Sequence, residues 1–232
     1  MNNTTTPKIS CIVPAHNEES RVEKVLRTLL AHPLITEVIA VNDGSSDNTA
    51  QVLQSIPGIR CISYTPNKGK SHAVLEGIQA ASHDIILMID ADLVGLTEED
   101  ITDLVTPVLT GASDISFSLR SNSLQLYKML GIDFVTGERC FNKNLIPDLQ
   151  TLDTLPGYGL ESFLNSLIIQ QKKTITIVRW KHVMQSPKQS KVGAFKGIMD
   201  ELHMVKQIIS VLGIFGPVTQ IFRLRKLIVR GS

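Results

Sequence analysis

The alternation of strand-like and helix-like segments over the first 120 residues is the feature that most constrains the fold. Short apolar runs rich in β-branched residues, such as Lys8–Pro14 and Ile35–Val41, alternate with segments whose apolar residues recur at helical spacing. The run at Asp84–Ile89 is apolar after its first residue, as expected of a central parallel strand covered on both faces. The alternation predicts an α/β fold with a mostly parallel, Rossmann-like sheet and helices on both of its faces.

Composition limits the class of protein. The chain has 232 residues, of which 43% are hydrophobic and 19% are charged, as is typical of a globular protein. Its formal net charge of +1 provides no general attraction to nucleic acid, so we expect no nucleic-acid partner. Three widely spaced cysteines, and an N-terminus without a signal-peptide pattern, favour a cytoplasmic location.

Four polar clusters follow four of the predicted strands. Their sequences are PAHNEE, NDGSSD, TPNKGK and DADL. The carboxyl ends of parallel strands lie at one edge of a sheet, where open α/β folds bind their ligands. We therefore expect the four clusters to contribute to a single site.

The DADL cluster contains two carboxylates, Asp90 and Asp92. If the chain turns there, both can serve one site. A hard divalent cation such as Mg²⁺ or Mn²⁺ binds one or two carboxylates together with substrate phosphates. The alternative is a solvated turn, because D-x-D is common by chance. The position of the pair at the ligand edge favours the functional interpretation.

Four further side chains are candidates for chemistry. Asp43 can accept hydrogen bonds from a nucleobase or ribose, and Lys70 precedes a helix N-terminus, where phosphate charge can bind. Glu161 can act as a base or bind sugar hydroxyls, although an acid matched to the helix dipole is a competing interpretation. His182 follows a strand, and a lone histidine there is more often structural than a metal ligand.

The segments CIVPAHNEE, VNDGSSDNT, NKGKSHAVLEGI, DADL, GYGLE and KHVM together resemble the family 2 glycosyltransferases, which have the GT-A fold. The resemblance covers most of residues 8–184. The segments TGERCF, GYGLES and KHVM more narrowly resemble the glucosyl-3-phosphoglycerate synthase-like branch. The resemblance implies transfer of a hexose from a nucleoside diphosphate sugar, by default UDP-glucose, to the hydroxyl of a small-molecule or lipid acceptor. It also implies a Mg²⁺ or Mn²⁺ cofactor.

On the donor side, the resemblance places Pro14, Ala15 and Glu18 beside the nucleotide and Asp43 at its base. The chain departs from the family pattern in one respect there. Many members carry two acids where this chain has Asn42 followed by Asp43, so one acid of the usual pair is missing.

Nearer the reacting centre, the resemblance places Lys70 beside the donor, Asp90 and Ala91 at its ribose or sugar, and Asp92 on the metal. His182 matches a further metal ligand of the synthase-like branch. The resemblance therefore implies catalytic roles for Lys70 and Asp92.

On the acceptor side, Gly137 and Glu138 match the acceptor segment of the branch, and Tyr158 and Glu161 would face the transferred sugar or the acceptor. Glu161 is followed by Ser162, which departs from the Glu-Asp pair that often marks an inverting base. In an inverting reaction Glu161 is the available base, and in a retaining reaction it positions the sugar. The synthase-like features favour retention.

Two other functions remain open from the sequence. A sugar-1-phosphate nucleotidyltransferase also combines an α/β sheet with a metal, but its glycine-rich basic loop is absent here. A non-catalytic module that binds nucleotide sugars would bind the donor with metal and neither transfer nor hydrolyse it.

The chain divides into a GT-A catalytic domain at 1–190 and a C-terminal helical extension at 191–230, which has apolar stripes with basic flanks. Such an extension can lie peripherally on the inner face of a membrane and bring a lipid acceptor close. It can also pack on the catalytic domain or form the interface of a homodimer. These interpretations remain open.

Overall fold

The computed structural model describes residues 7–155, 159–185 and 216–229. Its strands are β1 (Ile9–Ala15), β2 (Ile35–Asp43), β3 (Arg60–Tyr64), β4 (Ile85–Met88), β5 (Leu93–Val94), β6 (Ile115–Leu119), β7 (Arg139–Asn142), β8 (Ile175–Arg179) and β9 (Met184–Gln185). Its α-helices are α1 (Val22–Ala31), α2 (Thr49–Ser55), α3 (Lys70–Ala80), α4 (Glu98–Leu109), α5 (Gln125–Leu130), α6 (Gly159–Gln170) and α7 (Gly216–Arg225). Two 3-10 helices, Lys143–Leu145 and Leu149–Thr154, lie between β7 and α6 in the sequence.

Seven of the described strands form one sheet, in the order β3-β2-β1-β4-β7-β6-β8. Neighbouring strands are parallel except at β7, which runs antiparallel to β4 and to β6. The sheet confirms the predicted α/β fold. The strand β7 was not predicted, because its sequence RCFN is short and places a buried arginine where the strand pattern calls for an apolar residue.

Apolar residues on the two faces of the sheet form separate cores. One core contains Leu26 of α1 and Leu104 of α4. The other contains Val74 of α3 and Leu164 of α6. Because successive residues of a strand point to opposite faces, β1 contributes to both cores. The predicted helices on both faces are therefore confirmed.

The small sheet of β5 and β9 positions the segment that follows β4. These two strands are antiparallel, with Leu93 opposite Gln185 and Val94 opposite Met184. The chain therefore turns between β4 and β5, and this turn contains the DADL acids. The pairing brings Gln185, which is distant in sequence, beside the same turn.

Helix α7 packs on α6. Gln220 donates from Nε2 to the carbonyl of Ser162 at 2.9 Å and accepts from Nδ2 of Asn165 at 3.0 Å. Ile221 and Leu224 are buried in the core beneath α6. Within the predicted extension at 191–230, residues 191–215 lie outside the described residues, so its membrane and dimer interpretations stay predictions. No helix in the described ranges combines the length and apolarity that crossing a bilayer requires.

Candidate active site

A cavity of about 510 Å³ opens at the carboxyl ends of β1, β2 and β4. Its lining includes nine of the residues predicted from the sequence: Pro14, Ala15, Glu18, Asp43, Lys70, Asp90, Ala91, Asp92 and Glu161. Most of these residues lie at the carboxyl ends of strands or just after them, as expected where parallel strands end at one edge of a sheet. Lys70 and Glu161 come instead from the first turns of α3 and α6.

An ion-pair network lies at the centre of this cavity. Lys70 places Nζ 2.7 Å from Oδ1 of Asp90 and 3.0 Å from Oε1 of Glu161. Burial by itself would raise the pKa of Asp90, but the charge and the hydrogen bond of Lys70 outweigh burial and hold this pKa below its ordinary value. Burial would likewise lower the pKa of Lys70, and attraction to the two carboxylates raises it instead. The lysine is therefore a charged bridge rather than a free cation.

One carboxylate oxygen of Glu161 is available to a ligand. The side chain of this residue is 3% exposed, and Oε2 is buried without a hydrogen-bond partner among the described residues. A buried acceptor without a donor is costly. This atom is therefore a candidate contact for a hydroxyl that a ligand would bring into the cavity.

Asp92 lies in an environment that disfavours its charge. The residue is 8% exposed, and its carboxylate accepts, among the described residues, one long hydrogen bond of 3.4 Å from Nε2 of Gln185. Burial, followed by repulsion from Asp90 and Glu18, raises the pKa of Asp92 to about 6. The site therefore favours a cation beside this carboxylate.

Asp43 is bound by the loop that leads into α3. The backbone N–H groups of Lys68 and Gly69 donate to its two carboxylate oxygens at 2.7 and 2.9 Å, and Nδ2 of Asn67 adds a third hydrogen bond at 3.0 Å. Gly69 has a φ of +95°, which glycine adopts at little cost. Asp43 therefore shapes the loop that presents Lys70, and its predicted contact with a nucleobase stays a prediction.

Gly137 and Glu138 lie beneath the cavity rather than in its lining. A Cβ atom on Gly137 would lie 2.5 Å from the carboxylate oxygens of Asp90 and 2.6 Å from Nζ of Lys70. Gly137 therefore provides the space for their ion pair. Glu138 is fully buried and contacts Arg120. Tyr158, the other predicted acceptor-side residue, lies outside the described residues.

His182 is exposed on the segment that leads into β9. Its carbonyl oxygen packs 2.7 Å from the position that a Cβ on Gly95 would take. Within the described part of the chain, the cavity lining includes Gln185 from this segment but not His182. The structure therefore does not place the imidazole at the cavity, and its role as a metal ligand stays a prediction.

Several lining residues were missed by sequence reasoning. Arg120, Asn122 and Ser123 follow β6, and Asp133 follows α5. The first three could have been found by the strand-end rule, because SLRSNS is a polar cluster after a predicted strand. Asp133 lies in an irregular segment that gives no local signal.

The sheet order, the acidic turn after β4 and the cavity at the strand ends define a GT-A type α/β protein. Residues 10–150 match the family described as Glycosyl transferase family 2. Because that match covers more than half of the 232 residues, the chain belongs to glycosyl transferase family 2.

Solved structures share the fold over most of the chain. Glucosyl-3-phosphoglycerate synthase from Mycobacterium tuberculosis, solved with Mn²⁺, UDP-glucose and phosphoglyceric acid, is 23% identical with a TM-score of 0.68. The match covers 90% of this chain and 80% of that one. A structure of the same enzyme with Mn²⁺, UDP-glucose and glycerol 3-phosphate is 24% identical, also with a TM-score of 0.68, and covers 90% and 81% of the two chains.

Curated relatives match shorter parts of the chain. A 4,4'-diaponeurosporenoate glycosyltransferase of Staphylococcus aureus is 34% identical over 101 residues, which are 42% of this chain and 27% of the relative. A dolichyl-phosphate beta-glucosyltransferase of Trichomonas vaginalis is 33% identical over 149 residues, covering 53% of this chain and 44% of the relative. The matches thus span less than half the length of these relatives.

Proposed function

We propose that the protein transfers a hexose from a nucleoside diphosphate sugar to an acceptor hydroxyl. We take the hexose to be glucose and the donor to be UDP-glucose. The observation that carries this proposal is that Lys70, Asp90, Asp92 and Glu161 line one cavity at the strand ends of a family 2 member. Structural neighbours solved with UDP-glucose and Mn²⁺ support it, as do curated relatives named as glycosyltransferases.

We assign Asp92 the role of a ligand to a Mg²⁺ or Mn²⁺ ion. The described residues contain no group of three or more His, Cys, Asp and Glu side chains arranged for a metal. Such a group is not required, because a hard cation can bind one or two carboxylates and complete its shell with water and phosphates. The neighbouring acids, which raise the pKa of Asp92, fit a cation there. When bound, the ion supplies positive charge to the departing diphosphate.

The other central residues orient the donor sugar. Lys70 fixes the carboxylates of Asp90 and Glu161 on either side of its Nζ, and Oε2 of Glu161 can accept a hydrogen bond from a sugar hydroxyl. Because Glu161 already forms an ion pair with Lys70, we assign it the role of positioning the donor sugar rather than that of abstracting a proton. This assignment favours retention, which the anomeric configuration of the product measured by NMR would test.

The donor can be identified by thermal shift of the purified full chain with UDP, UDP-glucose, GDP and GDP-mannose, each with and without Mn²⁺. A ligand at 100 times its Kd stabilises the native state by about 2.7 kcal/mol, and we expect UDP-glucose with Mn²⁺ to raise the melting temperature most. Slow hydrolysis of that donor should accompany binding. Pyrophosphate release from a nucleoside triphosphate would instead indicate a nucleotidyltransferase, and binding without transfer or hydrolysis would indicate a binding module.

Substitution of Gly137 with alanine should disturb the reaction more than the fold. The atoms that the new Cβ would meet are side-chain tips of Asp90 and Lys70, so these can move while the backbone stays in place. A displacement of about 1 Å in a positioned group can cost about 10²-fold in rate, and we expect a loss of this size in donor turnover. Donor turnover measures the effect on the reaction, and the melting temperature measures the effect on the fold.

Gly111→Ala is the matched control. Gly111 has a φ of +72° with open space around its Cβ position, so alanine there should cost about 1 kcal/mol of stability and leave turnover unchanged. Loss of folding in Gly137→Ala with normal turnover of the remaining native protein would contradict the role given to Gly137.

A further inference from the structure

Part of the cavity lining comes from segments other than the ends of β1, β2 and β4, where the nucleotide would bind. It is formed by Arg120 and Ser123 after β6, Tyr127 of α5 and Asp133. We call these four residues the acceptor wall, because in the proposed function the donor occupies the β1, β2 and β4 ends. The charge of this wall bears on which acceptors the cavity can bind.

Arg120 is the cation of the acceptor wall, and its charge is already balanced. One terminal nitrogen donates to Oε1 of Glu138 at 2.8 Å. The other lies 3.6 Å from Oδ2 of Asp133. The three side chains are nearly inaccessible to solvent, with exposures of 8% for Arg120, 0% for Glu138 and 2% for Asp133. Two carboxylates therefore surround one guanidinium, so the positive charge of Arg120 is already compensated.

Glu138 is held firmly in this position. Its Oε2 accepts hydrogen bonds from the hydroxyls of Ser118 and Thr136, each at 2.6 Å. These hydroxyls lie 2.7 Å from each other, but each has a single proton, which it donates to the carboxylate. The carboxylate is thus buried with both oxygens hydrogen-bonded, and these contacts hold it beside Arg120.

The cavity as a whole is acidic. Its described lining carries six carboxylates, from Glu18, Asp43, Asp90, Asp92, Asp133 and Glu161, against two cationic side chains, Lys70 and Arg120. Lys70 is paired with two of those carboxylates. The positive charge of a cation beside Asp92 would be balanced by the negative charge of the donor diphosphate. Among the described lining residues, the acceptor therefore meets no uncompensated positive charge.

Two side-chain atoms of the cavity lining are buried without a hydrogen-bond partner among the described residues, Oε2 of Glu161 and Nε of Arg120. Nε of Arg120 is a donor that the oxygen of an acceptor hydroxyl can satisfy. Oε2 of Glu161, which we assign to a hydroxyl of the donor sugar, would repel a phosphate or carboxylate oxygen placed beside it. The M. tuberculosis synthase, in contrast, is solved with the anionic phosphoglyceric acid. In this chain two carboxylates, from Asp133 and Glu138, lie beside Arg120 of the acceptor wall.

We propose, building on the proposed function, that the acceptor is an uncharged hydroxyl compound and that Glu138 sets this specificity by neutralising Arg120. Glu138 does not line the cavity, so it acts through Arg120 as a positioning and charge-compensating residue. A guanidinium freed from Glu138 would be available to a phosphate, for which arginine provides paired donors.

The test is a gain of anion binding in Glu138→Gln. Glycerol 3-phosphate and glycerol form a matched anionic and uncharged pair, and their binding is measured by NMR titration without donor or metal. We expect glycerol 3-phosphate to bind the variant about tenfold more tightly than the wild type, a difference typical of one freed charge-assisted contact. Binding of glycerol should be the same in both proteins. The hydroxyls of Ser118 and Thr136 can rotate to accept from the glutamine amide, which favours folding of the variant.

Asp103→Asn is the control, because it makes the same change in net charge at an exposed position of α4. It should leave binding of glycerol 3-phosphate unchanged. If Glu138→Gln fails to fold, Asp133→Asn removes the second carboxylate beside Arg120 and is expected to give the same gain. Equal binding by wild type and variant, including none by either, overturns the proposal.

A wild-type acceptor assay gives an independent result. Preferred transfer to a phosphorylated acceptor over its unphosphorylated counterpart would also overturn the proposal. Because the titration requires neither donor nor turnover, its outcome is separate from that of the proposed transferase activity. Failure of hexose transfer would thus leave the anion-binding result to be judged by itself.

Discussion

Replacement of Asp92 with asparagine is expected to abolish metal-dependent transfer while the protein remains folded. The amide keeps the shape of the side chain but removes the charge that we assign to the metal. Loss of a group that stabilises developing charge lowers kcat by about 10²–10³-fold, and we expect a loss at or above the upper end of this range. Mn²⁺-dependent turnover of the donor, together with Mn²⁺ binding measured by calorimetry, checks this.

The metal-free Asp92→Asn protein should melt no lower than the wild type. The wild-type carboxylate is buried among Asp90 and Glu18, whose repulsion acts against its charge, and the uncharged amide removes that repulsion. Asp103→Asn, at an exposed position on α4, serves as the control and should retain both activity and Mn²⁺ binding. Full turnover in Asp92→Asn would refute the assignment of Asp92 to the metal.

Replacement of Arg139 with methionine is expected to cost about 3–5 kcal/mol of stability, the range for removing one member of a buried charged group. Arg139 is 1% exposed. Its guanidinium donates to the carbonyls of Thr136 and Phe134 and to Oδ1 of Asn165, at 2.9, 3.0 and 2.9 Å. It also lies 4.2 Å from the ring centre of Phe117. Methionine would fill much of the volume but leave two buried acceptors, the carbonyl of Thr136 and Oδ1 of Asn165, without the donors they have among the described residues. The carbonyl of Phe134 would keep a hydrogen bond from Nδ2 of Asn165 at 2.8 Å.

The charge of Arg139 also supports the site. Burial lowers the pKa of Arg139 to about 10, against the attraction of Glu161, Asp133, Glu138 and Asp90, so the side chain stays charged at neutral pH. Its removal would leave these acids with less compensating charge. This loss adds to the loss of hydrogen bonds and is a second reason for the large expected effect.

Chemical denaturation of Arg139→Met and of Arg27→Met provides the measurement. Arg27 forms an exposed i,i+4 ion pair with Glu23, and its side chain is 62% exposed, so its loss should cost at most about 0.5 kcal/mol. Similar midpoints for the two variants would contradict the structural role of Arg139.

The fold could be predicted from the sequence wherever local pattern was sufficient. The strand at Ile115–Leu119 and the helix at Gly159–Gln170 carry their own periodicity, because alternating or helical spacing of apolar residues reports which face is buried. The short antiparallel β7 carries no such pattern. It forms because β4 and β6 flank it on both sides, and this pairing is not visible in four residues.

The candidate site likewise contains residues that the sequence could locate and a contact that it could not. Asp90 and Asp92 could be located from the sequence because they follow a buried strand, and Lys70 because it begins a helix after another predicted strand. Arg120 could have been located by the same rule. The contact between Arg120 and Glu138 could not, since it depends on the antiparallel placement of β7 beside β6.

The sequence by itself determined the α/β class, the edge of the sheet that carries the site and the acids after β4, because strand direction and side-chain alternation follow from local spacing. The tertiary structure decided how those charges are paired. Lys70 and Glu161 are 91 residues apart and meet only because α3 and α6 lie on the same face of the sheet. Pairing energies depend on distance and burial, and both are set by packing between distant segments.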